Sequence, residues 1–134
     1  MERGRRLTLL LDTHALIWWV YGDERFPVPL RSQVNSLAQP VHVSAVSAME
    51  ITTKYRIGKL PQAASLANNF EATVRRLGFL ELPISVSECV LAGRMKGAHK
   101  DPFDRLLIAQ ALLNGMTLVS NERLFDDFGV ARIW

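Results

Sequence analysis

Cysteine is almost absent from this chain. Cys89 is the single one among 134 residues, so no disulfide closes within it, and a reducing compartment, the cytoplasm, is expected. Cys89 lies among Val86, Val90 and Leu91, which predicts a buried, inert thiol. Long apolar runs are missing too. The opening "MERGRRLTLLLDTHALIWWV" sets basic residues before leucines, as an export signal does. However, Asp12 interrupts after the five residues Leu7 to Leu11, and no small-residue cleavage site follows. Neither export nor a membrane span is predicted. Histidine is scarce, and the three present have no zinc-ligand spacing. A phosphate-cradling glycine loop is also lacking, because "IGKLP" has neither the upstream glycine nor a hydroxyl residue after the lysine. No repeat, low-complexity tract or linker divides the sequence, so one domain covering 1–134 is expected.

What remains is the composition of a packed domain, 49% hydrophobic and 22% charged. The charge balance, 16 basic residues against 13 acidic, is a mild hint of a polyanionic partner. Its distribution says more. Arg3, Arg5 and Arg6 form one group, Lys54, Arg56 and Lys59 a second, and Arg94, Lys96, Lys100 and Arg105 a third. Each alone reads as solvated surface; together they suit a phosphate-contacting face.

Short apolar runs alternate with helical periodicity. "LTLLL" reads as a buried strand, "THALIWWVYG" as a helix stopped at Gly22, and "LRSQVNSLAQ" as a helix through Leu30, Val34 and Leu37. Val41–Val43 reads as a second strand and Ser44–Gly58 as a helix opened by serine and closed by glycine. Ala63–Gly78 and "SVSECVLAGRMKG" read as helices flanking the strand "FLELPI". "MTLVS" is a fourth strand, a short helical segment runs through Phe125, and "VARIW" ends in an edge strand. This order predicts an α/β sandwich with a short, mainly parallel central sheet flanked by helices. In such sheets, sites form beyond the carboxyl ends of the strands.

Four acids fall near those ends or on adjoining helices: Asp12, Glu50, Asp104 and Glu122. Each has an ordinary explanation. Asp12 suits the N-cap of the next helix, Glu50 pairs with Lys54 one turn on, and Glu122 suits a first helical turn. In "AHKDPFDRLLIAQALLNG", Asp101 is a favoured N-cap, Pro102 fits the first helical position, and Asp104 stands where the helix dipole favours an anion. Jointly these explanations weaken, because the topology gathers the acids and like charges about 4 Å apart repel by roughly 4 kcal/mol at an effective dielectric of 20. Oxygen donors of this kind suit Mg²⁺ or Mn²⁺.

The order "LLLDTHALIWW", "VSAVSAMEITTKYRIGKL", "HKDPFDRLLIAQAL" and "TLVSNERLFDDFGV" resembles the PIN-domain ribonucleases, specifically the VapC-type toxins of bacterial toxin–antitoxin pairs. The resemblance covers Leu9 to about Val130. It implies a PIN-like α/β/α sandwich and a metal-dependent endoribonuclease whose products carry 5′-phosphate and 3′-hydroxyl ends. Asp12, Glu50, Asp104 and Glu122 would be its catalytic metal ligands, with Glu122 at a position usually held by aspartate. Its longer side chain would then bind the metal through water. Asp101, Ser120 and Thr13 would support those ligands. An RNA substrate, a cognate VapB-type antitoxin reaching into the acidic cleft, and a homodimer are implied as partners. Trp18, Trp19 and Tyr21 are expected in the core or at a dimer surface.

The competing class is a catalytically weak or inactive PIN-like module that binds RNA or protein, for which Glu122 is the only support. A phosphoacceptor receiver domain would show adjacent acids after the first strand, but Thr13 and His14 follow Asp12.

Overall fold

A computed structural model describes residues 7–36 and 39–134. Arg3, Arg5, Arg6 and Leu37 therefore lie outside the described residues. The chain runs β1 (Leu9–Leu11), α1 (Thr13–Val20), α2 (Val28–Val34), β2 (Val41–Ser44) and α3 (Ala45–Arg56). A 3₁₀ turn at Pro61–Ala63 leads into α4 (Ala64–Asn68), α5 (Phe70–Arg76), β3 (Leu80–Leu82), α6 (Val86–Arg94) and α7 (Pro102–Asn114). After β4 (Thr117–Val119) come a 3₁₀ stretch, Arg123–Phe128, and β5 (Arg132–Ile133).

The strands form a five-stranded sheet in the order β3-β2-β1-β4-β5, and every neighbouring pair is parallel. β1 is central and all three of its leucines are fully buried. Leu9 and Leu11 enter one apolar cluster with α1 and α2; Leu10 enters the opposite cluster with Leu107, Ile108 and Phe125. A strand covered on both faces needs apolar residues at every position, which is why "LLL" does not alternate. The succession of strands runs from β1 outward to β3, then returns to the other side of β1 for β4. The crevice between β1 and β4 is therefore the topological switch point, where α/β sheets form sites.

Trp18 and Trp19 belong to the core, whereas Tyr21 is exposed and its hydroxyl accepts a bond from the Leu66 N–H at 3.1 Å. Phe103 and Leu106 pack against the second cluster and seat the start of α7.

Four local expectations need correction. The helix expected over Ala63–Gly78 breaks at Asn69, whose backbone leaves the helical region at φ −137°. Its side-chain amide donates to the Ser65 carbonyl, a local bond that competes with helix continuation. The helix expected from Leu30 starts earlier, at Val28, because Pro27 precedes it in extended conformation and Pro29 fits the first turn. The segment after β4 is a 3₁₀ stretch reaching Phe128, closed by Gly129 at φ 75°. Finally, the Cys89 thiol is exposed. α6 turns Glu88 and Ala92 inward and leaves Val86 (80% exposed), Cys89 and Val90 outside. A buried polar network around Glu88, not apolar packing, sets that helix's orientation.

Candidate active site

Asp12 follows β1 directly and its N–H bonds the Val119 carbonyl of β4 at 3.1 Å, so it sits in the switch-point crevice. Its carboxylate also caps α1, with Oδ1 accepting from the Ala15 N–H at 2.7 Å. Capping and site membership are thus compatible in one side chain: one oxygen orients the group and the other remains. Glu50 projects from the middle of α3 and is only 3% exposed. Asp104 lies in the first turn of α7, where Asp101 is the N-cap, accepting from the N–H groups of Phe103 and Asp104 at 2.8 and 3.2 Å. Asp101 holds the helix start, so the Asp104 carboxylate is not spent on capping α7 and pairs with His99 instead.

Charge ties three of the acids together. Burial pushes Asp12 from an ordinary 3.8 up to about 6, against a hydrogen bond from Ser120, the Ala15 N–H and the nearby His14; Asp104 adds to the rise. Burial likewise raises Asp104, opposed by its bond to His99 and reinforced by the charges of Asp101 and Glu50. Glu50 bonds Lys54 Nζ at 2.5 Å through Oε2, while Oε1 is buried without a hydrogen-bond partner. Glu122 turns elsewhere. Half-buried, it caps the 3₁₀ stretch by accepting from the Leu124 N–H at 3.3 Å, and its charge acts on Arg132.

The supporting residues divide as well. Ser120 bonds Asp12 and also accepts from the Glu122 N–H at 3.0 Å. Thr13 instead meets Ser47 at 3.0 Å, a buried bond that fixes α1 against α3 one turn before Glu50. Arg105, read from sequence as part of a phosphate-contacting group, is a structural clamp. Its guanidinium donates to the carbonyls of Ala92, Met95 and His99 and so ties the loop after α6 to α7.

His99 was the residue least visible in the sequence. Its Nε2 lies 2.7 Å from Asp104 Oδ2 and its ring packs edge-on against Phe125. The only sequence cue is its position five residues before Asp104, in a loop whose path nothing local dictates.

Among the described residues, no three His, Cys, Asp or Glu side chains converge tightly enough to hold a metal ion unaided. The donor chemistry nevertheless fits a hard divalent cation. A buried carboxylate oxygen lacks any partner, and two neighbouring carboxyls have raised pKa values because their hydrogen bonds do not offset their burial. Carboxylate oxygens without sulfur donors suit Mg²⁺ or Mn²⁺.

A parallel α/β sheet with an acidic crevice at its switch point is the frame of a broad class of phosphate-handling proteins. The sequence model of the PIN domain matches residues 9–131, and the chain belongs to the PIN-domain family. It is similar to Ribonuclease VapC22 of Mycobacterium tuberculosis, at 29% identity over 119 residues spanning 87% of this chain and 88% of that protein. The fold is shared with VapBC2 from Rickettsia felis bound to a promoter DNA fragment, at TM-score 0.68 and 13% identity over 95% of this chain and 98% of that one. It is also shared with Mycobacterium tuberculosis VapC20, a toxin that cleaves the sarcin-ricin loop, at TM-score 0.66 and 16% identity over 94% and 98% of the two chains.

Proposed function

We propose that this PIN-domain protein, a single domain over 1–134, is a metal-dependent endoribonuclease and the toxin of a toxin–antitoxin pair. The observation that carries the reading is the crevice between β1 and β4, where Asp12, Glu50 and Asp104 share one electrostatic field and a buried Glu50 oxygen has no partner. The similarity to a ribonuclease of the VapC group over most of both chains supports the substrate class. The fold shared with the VapBC2 assembly supports an antitoxin partner. Among the described residues no helix is long and apolar enough to cross a membrane; a cytoplasmic location and a homodimer belong to the same proposal.

Asp12, Glu50 and Asp104 would hold Mg²⁺ or Mn²⁺, and Glu122, which caps its own 3₁₀ stretch, would reach the ion through water only by leaving that cap. A bound divalent ion supplies an activated water and neutralises charge developing on the phosphodiester. The chain's own part is positioning. The Ala15 N–H and Ser120 fix Asp12, His99 orients Asp104 by its bond to Oδ2, and the Asp101 cap sets where α7 begins. Lys100 and Arg94 are exposed and would be available to the RNA backbone.

The deciding experiment is RNA cleavage by purified, antitoxin-free protein, wild type against Asp104→Asn, in Mg²⁺, Mn²⁺ and chelator. Cleavage that needs both metal and Asp104 is the expected result. Absence of metal-dependent cleavage across structured and single-stranded RNAs would favour the inactive binding module.

A further inference from the structure

The two oxygens of Glu50 are served unequally. Oε2 has a full ammonium charge at 2.5 Å, from Lys54 one turn along α3, while Oε1 is buried and bare. Ordinary i,i+4 pairs lie on helix surfaces with both partners in water. Here the glutamate is 3% exposed and the lysine side chain 31%, so the cation is partly in water and the anion is buried. Partial burial works against the lysine's charge. The bond to Glu50 and the fields of Glu50, Asp101 and Asp104 outweigh it, and the pKa rises above the ordinary lysine value.

We propose that Lys54 is the resident counter-cation of the acidic crevice, held on Glu50 in the absence of metal and displaced when a divalent ion binds. The inference rests on the reading of the crevice as a metal centre. The geometry favours exchange over a permanent pair. A lysine ammonium is a point charge on a flexible stem, and its partly exposed position lets it leave into water. It also satisfies only one of the two Glu50 oxygens, leaving Oε1 for a cation that can take more than one carboxylate oxygen. Metal and lysine then compete for one carboxylate, and the lysine keeps the folded apo protein from carrying uncompensated buried charge.

The test is calorimetric titration of Mn²⁺ into RNA-free wild type, Lys54→Met, Lys54→Gln, Arg56→Met and Asp12→Asn, with melting curves in chelator. Removing the competitor should tighten Mn²⁺ binding in both Lys54 variants by roughly tenfold, or ~1.4 kcal/mol. Both should melt lower than wild type in chelator and gain more on adding Mn²⁺. Arg56→Met removes an exposed charge from the same helix end and should change affinity by less than about threefold, the weak effect expected of screened surface charge. Unchanged or weaker binding in the Lys54 variants would overturn the exchange, as would equal tightening in Arg56→Met. If Asp12→Asn weakens Mn²⁺ while the Lys54 variants leave it unchanged, the metal centre stands and only the exchange fails. No Mn²⁺ binding by wild type would overturn both.

Discussion

Glu50 on α3 and Glu88 on α6 are buried to almost the same depth, 3% and 5% exposed, yet their surroundings are opposite. Glu88 is saturated. Its Oε1 accepts from the Ser85 N–H at 2.9 Å and from Gln110 Nε2 at 3.1 Å, and Oε2 accepts from Asn114 Nδ2 at 2.8 Å. Burial pushes its pKa upward, but these bonds outweigh that and hold it below the ordinary value. Gln110 extends the network to Ser44 Oγ, at the cap of α3. Glu50 has one lysine and one bare oxygen. The same side chain at the same depth is a structural bracket in one place and, on the proposed reading, an unfinished coordination shell in the other. The difference lies in whether neutral, fixed donors surround it.

The contrast between saturated and unsaturated acids can be broken in several ways. The largest effect is expected at Asp104. Asp104→Asn should lower RNA cleavage on the order of 10³-fold, about 4 kcal/mol of lost transition-state stabilisation, measured as single-turnover rate in Mn²⁺. In chelator the same variant should melt at or above wild type, because a repelling charge has gone. A variant that melts lower and still gains fully from Mn²⁺ would remove Asp104 from the crevice.

Next comes pH. Asp12 binds its proton more tightly folded than unfolded, since its pKa rises from 3.8 to about 6. Metal-free stability should therefore fall by about 3 kcal/mol as pH rises through that window, then stay reduced above it. Asp12→Asn should flatten that slope in urea titrations run in chelator. Glu88 has the opposite sign: its lowered pKa stabilises the fold above the unfolded value, and that contribution is lost as pH falls through the folded one.

The two glutamates themselves give the third test. Glu88→Ala takes one acceptor each from the Ser85 N–H and the amides of Gln110 and Asn114 and should cost about 2 kcal/mol in chemical denaturation, with the Mn²⁺-induced stabilisation intact. Glu50→Gln should shift metal-free stability by less than about 1 kcal/mol and should reduce the gain from Mn²⁺. Equal responses from the two would end the distinction. Last comes the cap: Asp101→Ala should cost about 1 kcal/mol and leave the Mn²⁺ response in place.

The sequence by itself determined what is decided within a turn or two of chain. The caps at Asp12, Ser44 and Asp101 and the helix stop at Gly22 follow from bonds and dihedral preferences spanning three or four residues. The succession of strands and helices in a mainly parallel α/β fold, with Asp12 directly after β1, was legible for the same reason. Alternating patterns name the elements, and parallel connections bring their ends together. Only the tertiary structure decided which partner each polar group meets. That α6 faces Glu88 inward and Cys89 outward depends on Gln110 and Asn114, more than twenty residues away. That Glu50 is buried beside a half-buried lysine, that His99 reaches Asp104, and that Glu122 turns to its own cap are outcomes of packing between elements. Burial and electrostatic environment are properties of the whole assembly of layers, and no local pattern encodes them.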